Sequence, residues 1–443
     1  MKKQLGIIVG FCLSLTFLSV SSVSSADPQV GETKCVKAGS FRTAKNVMYR
    51  CHKSAKGLRW VAISAKSKST ATTTTTATTT TKTLPVPGPV ITNVESCRLK
   101  SALVAKSGGI GFPRHTTKLR STGGVRLLVL FVDFPDSIAT KSTESVLKII
   151  SPESERLYSE MSYGRVAFEL VPVLRWLRMS KESSVYNFKR GFSFLDHRNY
   201  LEEALRLGTV GLDASTLDGL IVLTNPDTKT IEFGPAFALD DKYWGIRVGS
   251  KLWMNGTNSG FDLNNWGYKW MNHEISHTMG LPDLYAYNGS AHRFVGGWSL
   301  MGLISGHGPE YFAWERWLLG WLDDSQVICL PSGSITATLN AVPVVGGQKM
   351  IVTPISETRA VVVEVRRRVG YDLSLPEEGP LVYLVDTNLS GGNGVIKVLP
   401  INDSDTEKKS APLSVGETLT FEGVSVRYNS RASFGDEITV SRN

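Results

Sequence analysis

Residues 273–283 read HEISHTMGLPD. On a helix, positions four apart share a face, so His273 and His277 can aim ring nitrogens at one ion. Glu274 is one step round, close enough to reach a water beside that ion without binding the ion itself. Two imidazoles suit zinc, and a catalytic zinc takes three protein ligands and keeps one position open. The third ligand must come from elsewhere. Gly280 permits the tight turn that ends a helix, with Pro282 two residues beyond. Asp283 stands where the returning chain would deliver a carboxylate, and Glu310 and Glu315 are its rivals. The chemistry these residue types support is hydrolysis by a metal-activated water, with Glu274 as general base. The plain alternative is a helix that carries two histidines for packing.

These residues need a frame. The segment FDLNNWGYKWMNHEISHTMGLP reads as one helix ending near Gly280. VRLLVLFVDF (125–134) and DGLIVLTNP (218–226) are continuous apolar runs, the mark of central strands covered on both faces. Between them, ESVLKIISPESERLYSEM and FLDHRNYLEEALRLG show helical spacings of three and four. After residue 325 the texture changes to strand-like runs such as AVVVEVRR, GPLVYLVDT and ETLTFEGVSVRYNS, divided by turn residues. That predicts an all-β, sandwich-like domain, so the fold class is α+β.

The N-terminal region has a different character. Residues 1–26 carry two lysines, an apolar core and small residues up to Ala26, which predicts a signal peptide and an exported protein. Residues 27–63 predict a small β-rich module stapled by cysteine, and 64–90 a Thr/Pro-rich linker that cannot bury a core. The larger domains then span 91–325 and 326–443. No segment after the leader is apolar for long enough to span a membrane. Cys12 leaves with the leader, and the four remaining cysteines suggest two disulfides. The favoured pairs are Cys35 with Cys51 and Cys97 with Cys329; the alternative is a Cys97 thiolate that masks a metal. A net charge of +9 fits a solvated basic surface or attraction to an anionic cell envelope. No basic patch interleaved with aromatics argues for nucleic acid. The expected partners are protein or peptide substrates, met by a monomer.

The stretch HEISHTMGLPDLY resembles the active-site motif of the M6 family of secreted bacterial metallopeptidases, the immune inhibitor A-like group. VLFVDFPD, YSEMSYGRVAFE, GGWSLMG, FAWERWLLGWL and VEVRRRVGYDLSLPEEGPLVYLVDT are similar to further family segments, in order, over about 120–390. The resemblance implies a metzincin-like peptidase domain, a catalytic zinc on His273, His277 and Asp283, and structural calcium. It also implies that Met301 packs beneath the ligands in a Met-containing turn, and that substrate extends along an edge strand. Two positions depart from the family pattern. Ser276 replaces a glycine, and Ser299 replaces the aspartate of the Met-containing turn. Tyr285, Tyr287 and Tyr311 are candidates to hold a developing oxyanion, and His292 and His307 read as loop histidines. The rival function is an inactive peptidase-like protein that binds the cell envelope.

Overall fold

The computed structural model describes residues 41–44, 47–54, 57–62, 93–101, 109–433 and 435–442. The chain divides into two compact units, 1–78 and 79–443. In the first, β1 (Phe41–Ala44), β2 (Val47–Ser54) and β3 (Gly57–Ala62) form an antiparallel sheet in that order. The expected signal peptide, the linker and Cys35 lie outside the described residues, and so does the Cys35–Cys51 pairing.

The second unit is built on β4 (Gly123–Asp133), whose alternate residues serve two different cores. Leu127, Val129 and Phe131 face one side, and Leu128, Leu130 and Val132 face the other. This is why the run reads as continuously apolar. β5 (Val166–Arg178), β6 (Gly219–Thr224), β7 (Ala236–Ala238), β8 (Ile246–Val248), β9 (Lys251–Trp253) and β10 (Asn255–Asn258) follow. β8 and β9 pair as a separate hairpin, and the main sheet runs β5-β4-β6-β10-β7. It is parallel except for β7, which pairs antiparallel with β10 and forms one edge.

Helices cover both faces. The first two are α1 (Thr143–Leu147) and α2 (Glu153–Met161). They replace the single helical stretch expected over 144–161, because Pro152 has no N–H to continue the ladder. α3 (Phe194–Gly208) opens on a Ser193/Asp196 capping box and packs Tyr200, Leu201, Ala204 and Leu205 on the far face. The helix expected over 261–280 is also two, α4 (Leu263–Trp266) and α5 (Tyr268–Thr278), because Gly267 takes a φ of 53° between them. α6 (Ala313–Leu318) completes the set.

The strands beyond residue 326 are β11 (Val327–Cys329), β12 (Gly333–Leu339), β13 (Met350–Pro354), β14 (Arg359–Arg366) and β15 (Gly379–Asp386). β16 (Ile396–Val398), β17 (Thr418–Phe421), β18 (Val424–Ala432) and β19 (Gly435–Arg442) follow. They form a five-stranded sheet, β11-β13-β14-β15-β16, and a four-stranded sheet, β12-β19-β18-β17. Val361, Val363 and Val365 of β14 share a core with Val424, Val426, Ile438 and Val440 of the second sheet. The intervening Ala360 and Val362, with Leu381 and Tyr383 of β15, join the core that also holds α5 and α6. The five-stranded sheet is therefore a middle layer, and one hydrophobic core runs unbroken across residue 325.

Two further features bind this unit together. Cys97 and Cys329 are bridged, with Cα atoms 5.7 Å apart, as the sequence pairing anticipated. A buried ionic network joins the segment around α6 to β14. The Arg366 guanidinium donates to both carboxylate oxygens of Asp372, at 2.7 and 3.1 Å, and to Glu364 at 3.1 Å. Arg316 pairs with Glu310 and donates to the Met161 carbonyl at 2.7 Å. Among the described residues, no helix is long and apolar enough to cross a membrane.

Candidate metal centre

α5 carries both histidines toward the cleft, His273 buried and His277 half-buried. Its end is a Schellman turn. The Leu281 N–H bonds the Ser276 carbonyl at 3.0 Å, the Gly280 N–H bonds the His277 carbonyl at 2.9 Å, and Gly280 adopts a φ of 100°. Only glycine takes that conformation without strain. Arg114 donates to the Met279 carbonyl at 2.9 Å and the Leu119 carbonyl at 2.6 Å, which satisfies the helix end.

This turn does more than stop the helix. It places the Leu281 carbonyl 2.7 Å from His277 Nδ1. The Leu300 carbonyl lies 2.9 Å from His273 Nδ1. Each ring therefore donates its Nδ1–H to a backbone oxygen, and each Nε2 is left as a lone-pair donor aimed inward. The chain returns through Pro282 and delivers Asp283 Oδ1 to 3.2 Å from His273 Nε2 and 3.3 Å from His277 Nε2. The two Nε2 atoms are 3.2 Å apart.

Those three separations are a test of fit. A tetrahedral ion with bonds of 2.0–2.1 Å spaces its ligand atoms by roughly 3.3–3.4 Å. The triangle His273–His277–Asp283 matches this spacing, its donors are those zinc takes, and its rings are held by backbone acceptors. It is the one group of three such side chains among the described residues that converges in this way. Burial tends to lower the His277 pKa, but the adjacent Asp283 carboxylate outweighs it and raises the value. Burial likewise opposes ionisation of Asp283, yet the two imidazoles hold it well below the usual carboxylate range. Glu274 is pushed up to about 8, chiefly by burial, with His273 pulling it down and Asp283 and Asp262 pushing it up.

The other sequence candidates fall into place around this triangle. Met301 is fully buried, and its carbonyl accepts the Leu284 N–H at 2.9 Å, so its turn supports the ligand loop. Ser299, at a φ of 63°, accepts the Met301 N–H at 3.2 Å and donates to Glu315 at 2.8 Å. Glu315 is thus committed beneath the turn, where it also accepts the Phe312 N–H at 2.8 Å. Glu310 is committed to Arg316 and the Tyr371 N–H. Neither rival carboxylate joins the histidines. Cys97 lies with Cys329, so a masking thiolate at the triangle is not what the structure shows. His307 packs edge-on against Trp298 at 4.8 Å, while His292 lines the cleft. Tyr311 is buried under α5, and Tyr285 stacks on His273 at 6.4 Å. The Tyr287 hydroxyl donates to Asp283 Oδ2 at 2.8 Å.

Three contributions escaped the sequence reading. The Ser276 hydroxyl lies 2.6 Å from the Tyr311 hydroxyl and 3.1 Å from that of Tyr158, a buried cluster that fits a serine at this position. The loop between β15 and β16 reaches the ligand loop. The Gly392 N–H bonds the Asp283 carbonyl at 3.0 Å, and a Cβ on Gly392 would sit 2.3 Å from the Tyr287 ring. The adjacent glycines of NLSGGNG were the available signal for such a close approach. Finally, β7 borders the cleft through Ala236 and Ala238. The cleft measures about 840 Å³ and runs past Glu274 to Leu303, Ile304 and Gly391. No protein-family model matches the chain, and a search of curated proteins finds no match either.

Proposed function

We propose that this protein is a zinc-dependent endopeptidase of the metzincin-like type, acting outside the cell on extended polypeptide. The observation that carries the reading is the His273–His277–Asp283 triangle at tetrahedral spacing, with Glu274 beside it in a long cleft. When bound, zinc would supply Lewis acidity, a lowered water pKa and the positive charge that returns Glu274 to its ionised form. His273, His277 and Asp283 would hold it.

The chain's own residues do the rest. Glu274 accepts a proton from the attacking water and returns it to the leaving amine. The Leu281 and Leu300 carbonyls keep both rings in one tautomer. β7 is an edge of the sheet, and a substrate paired there would take the Ala238 carbonyl from Lys118 and the Ala236 N–H from Glu274. The Leu239 N–H bonds the Met254 carbonyl at 3.1 Å, so strand alternation turns the peptide groups of Ala236 and Ala238 away from β10. Lys118 Nζ meets the outward Ala238 carbonyl at 3.1 Å. A polypeptide added beside β7 would lie across Glu274. A calcium role rests on resemblance alone.

The test is casein hydrolysis by the purified chain from Asp27, with and without a zinc chelator, beside Glu274→Ala. Chelator-sensitive cleavage that the variant lacks is expected. Zinc bound without cleavage by the wild type would defeat the reading and favour an inactive envelope-binding role.

A further inference from the structure

Behind the cleft edge lies a group of aromatic side chains that neither the core nor the chemistry above uses. Tyr243 is 79% exposed, Trp244 46% and Phe194 41%, and neighbouring Leu195 is 55% exposed. The three rings form one continuous surface. Tyr243 and Trp244 rings are 5.1 Å apart, Trp244 and Phe194 5.7 Å, and Phe194 stacks on Phe237 of β7 at 5.9 Å with planes 10° apart. Arg198 ties the ledge down from α3, donating to the Trp244 and Gly245 carbonyls at 3.3 Å each. Large apolar side chains left exposed together, on a scaffold that fixes them, mark an interaction surface.

Strand geometry says what would cover it. Ala236 and Ala238 face the cleft, so Phe237 between them faces the opposite side, toward α3. A polypeptide paired beside β7 must alternate in the same way. The residue directly opposite Phe237 points to the α3 side, where Phe194 and Trp244 stand. Its neighbours on either side point into the cleft.

We propose that Phe194, Tyr243 and Trp244 form a specificity ledge that takes one aromatic or large aliphatic side chain of an extended polypeptide paired with β7. The occupant is an unfolded or extended segment, because only an open backbone can pair with the edge and present alternate side chains to both faces. A folded substrate with its apolar residues inside would not reach the ledge. This inference rests on the peptidase reading for its placement, yet it concerns binding and can fail or stand separately.

The experiment compares two peptides that differ only at the residue opposite Phe237, one with phenylalanine and one with alanine. A positional library scan finds that position. Binding is measured by calorimetry on zinc-loaded Glu274→Ala, and hydrolysis on the otherwise native enzyme, each with and without Tyr243→Ser/Trp244→Ser. A second variant, Phe194→Ser, checks the third ring, and circular dichroism confirms that each variant folds. The ledge predicts about 10-fold tighter binding and higher kcat/KM for the phenylalanine peptide, with the preference lost in the variants. An equal preference in native and variant proteins would overturn the ledge while hydrolysis left the peptidase reading standing. Ledge-dependent binding without hydrolysis by the native enzyme would sink the peptidase reading and keep the ledge.

Discussion

Two groups of buried polar side chains in this molecule differ in what completes them. Around α6 and β14, Arg316 and Arg366 are fully buried, and each meets a carboxylate and backbone carbonyls. Two guanidiniums answer three carboxylates from within the chain, and the result is a lock between layers. At the end of α5, two imidazole nitrogens and a carboxylate oxygen converge instead, and all three are lone-pair donors. Carboxylates make a structural joint where an arginine answers them, and Asp283 makes a ligand set where it meets two imidazoles. Glu310 and Glu315, the rivals for third ligand, stand apart from the histidines. Each is already engaged, one by Arg316 and the other by Ser299 and the Phe312 N–H.

The sharpest way to break the contrast is at the chemistry. Glu274→Ala should lower kcat/KM by about 10²–10⁴-fold, with zinc content by metal analysis unchanged. A wild-type rate would remove Glu274 as the base. Next comes the lock. Arg366→Met strands Asp372 and Glu364 without their cation and should cost about 3–5 kcal/mol in denaturant unfolding, while the folded fraction keeps its zinc affinity. A loss of zinc affinity in the folded fraction would mean that the two groups are not independent. Asp283→Ala should weaken zinc by more than about a hundredfold, since losing a ligand must exceed the 10–100-fold typical of losing a ligand's hydrogen-bond partner. Competition titration with a chromophoric chelator measures it, and unchanged affinity would return the third ligand to open question.

The smallest effect tests a carboxyl between the two groups. Burial pushes Glu315 up from its ordinary 4.5 to about 7. A raised carboxyl favours the protonated folded state, so its stabilising contribution is full below pH 4.5 and is lost as pH rises through 7. Glu315→Gln lacks that dependence. The stability of wild type relative to the variant should fall by up to about 3 kcal/mol between pH 4.5 and 7.5, read from chemical unfolding at each pH. A flat difference would show that folding does not raise the Glu315 pKa.

Local pattern made the centre of the site legible. His273, Glu274, His277, Gly280 and Asp283 lie within one helix and its turn, where spacing alone dictates direction. The long apolar runs of β4 and β6 announced a sheet covered on both faces, and the pairing of Cys97 with Cys329 followed from where the cysteines fall. What stayed hidden depends on distant partners. Pro152 and Gly267 broke two helices whose apolar spacing ran straight through them. Nothing in NLSGGNG says that Gly392 meets Asp283, and nothing near Ser276 names Tyr158 and Tyr311. Nothing near Arg316 or Arg366 in the sequence names the carboxylates that meet them.

The contact between Gly392 and the Asp283 carbonyl has a consequence in time. A ribosome makes residues 273–283 well before it makes the loop that fastens them. Until β15 and β16 have formed, the ligand turn lacks its clasp and the cleft lacks its Gly391 wall. On the proposed reading, an unfinished or clipped chain would be a poor peptidase, and competence would arrive only with a full-length fold. On that reading, assembly order would itself protect the cell that makes the chain.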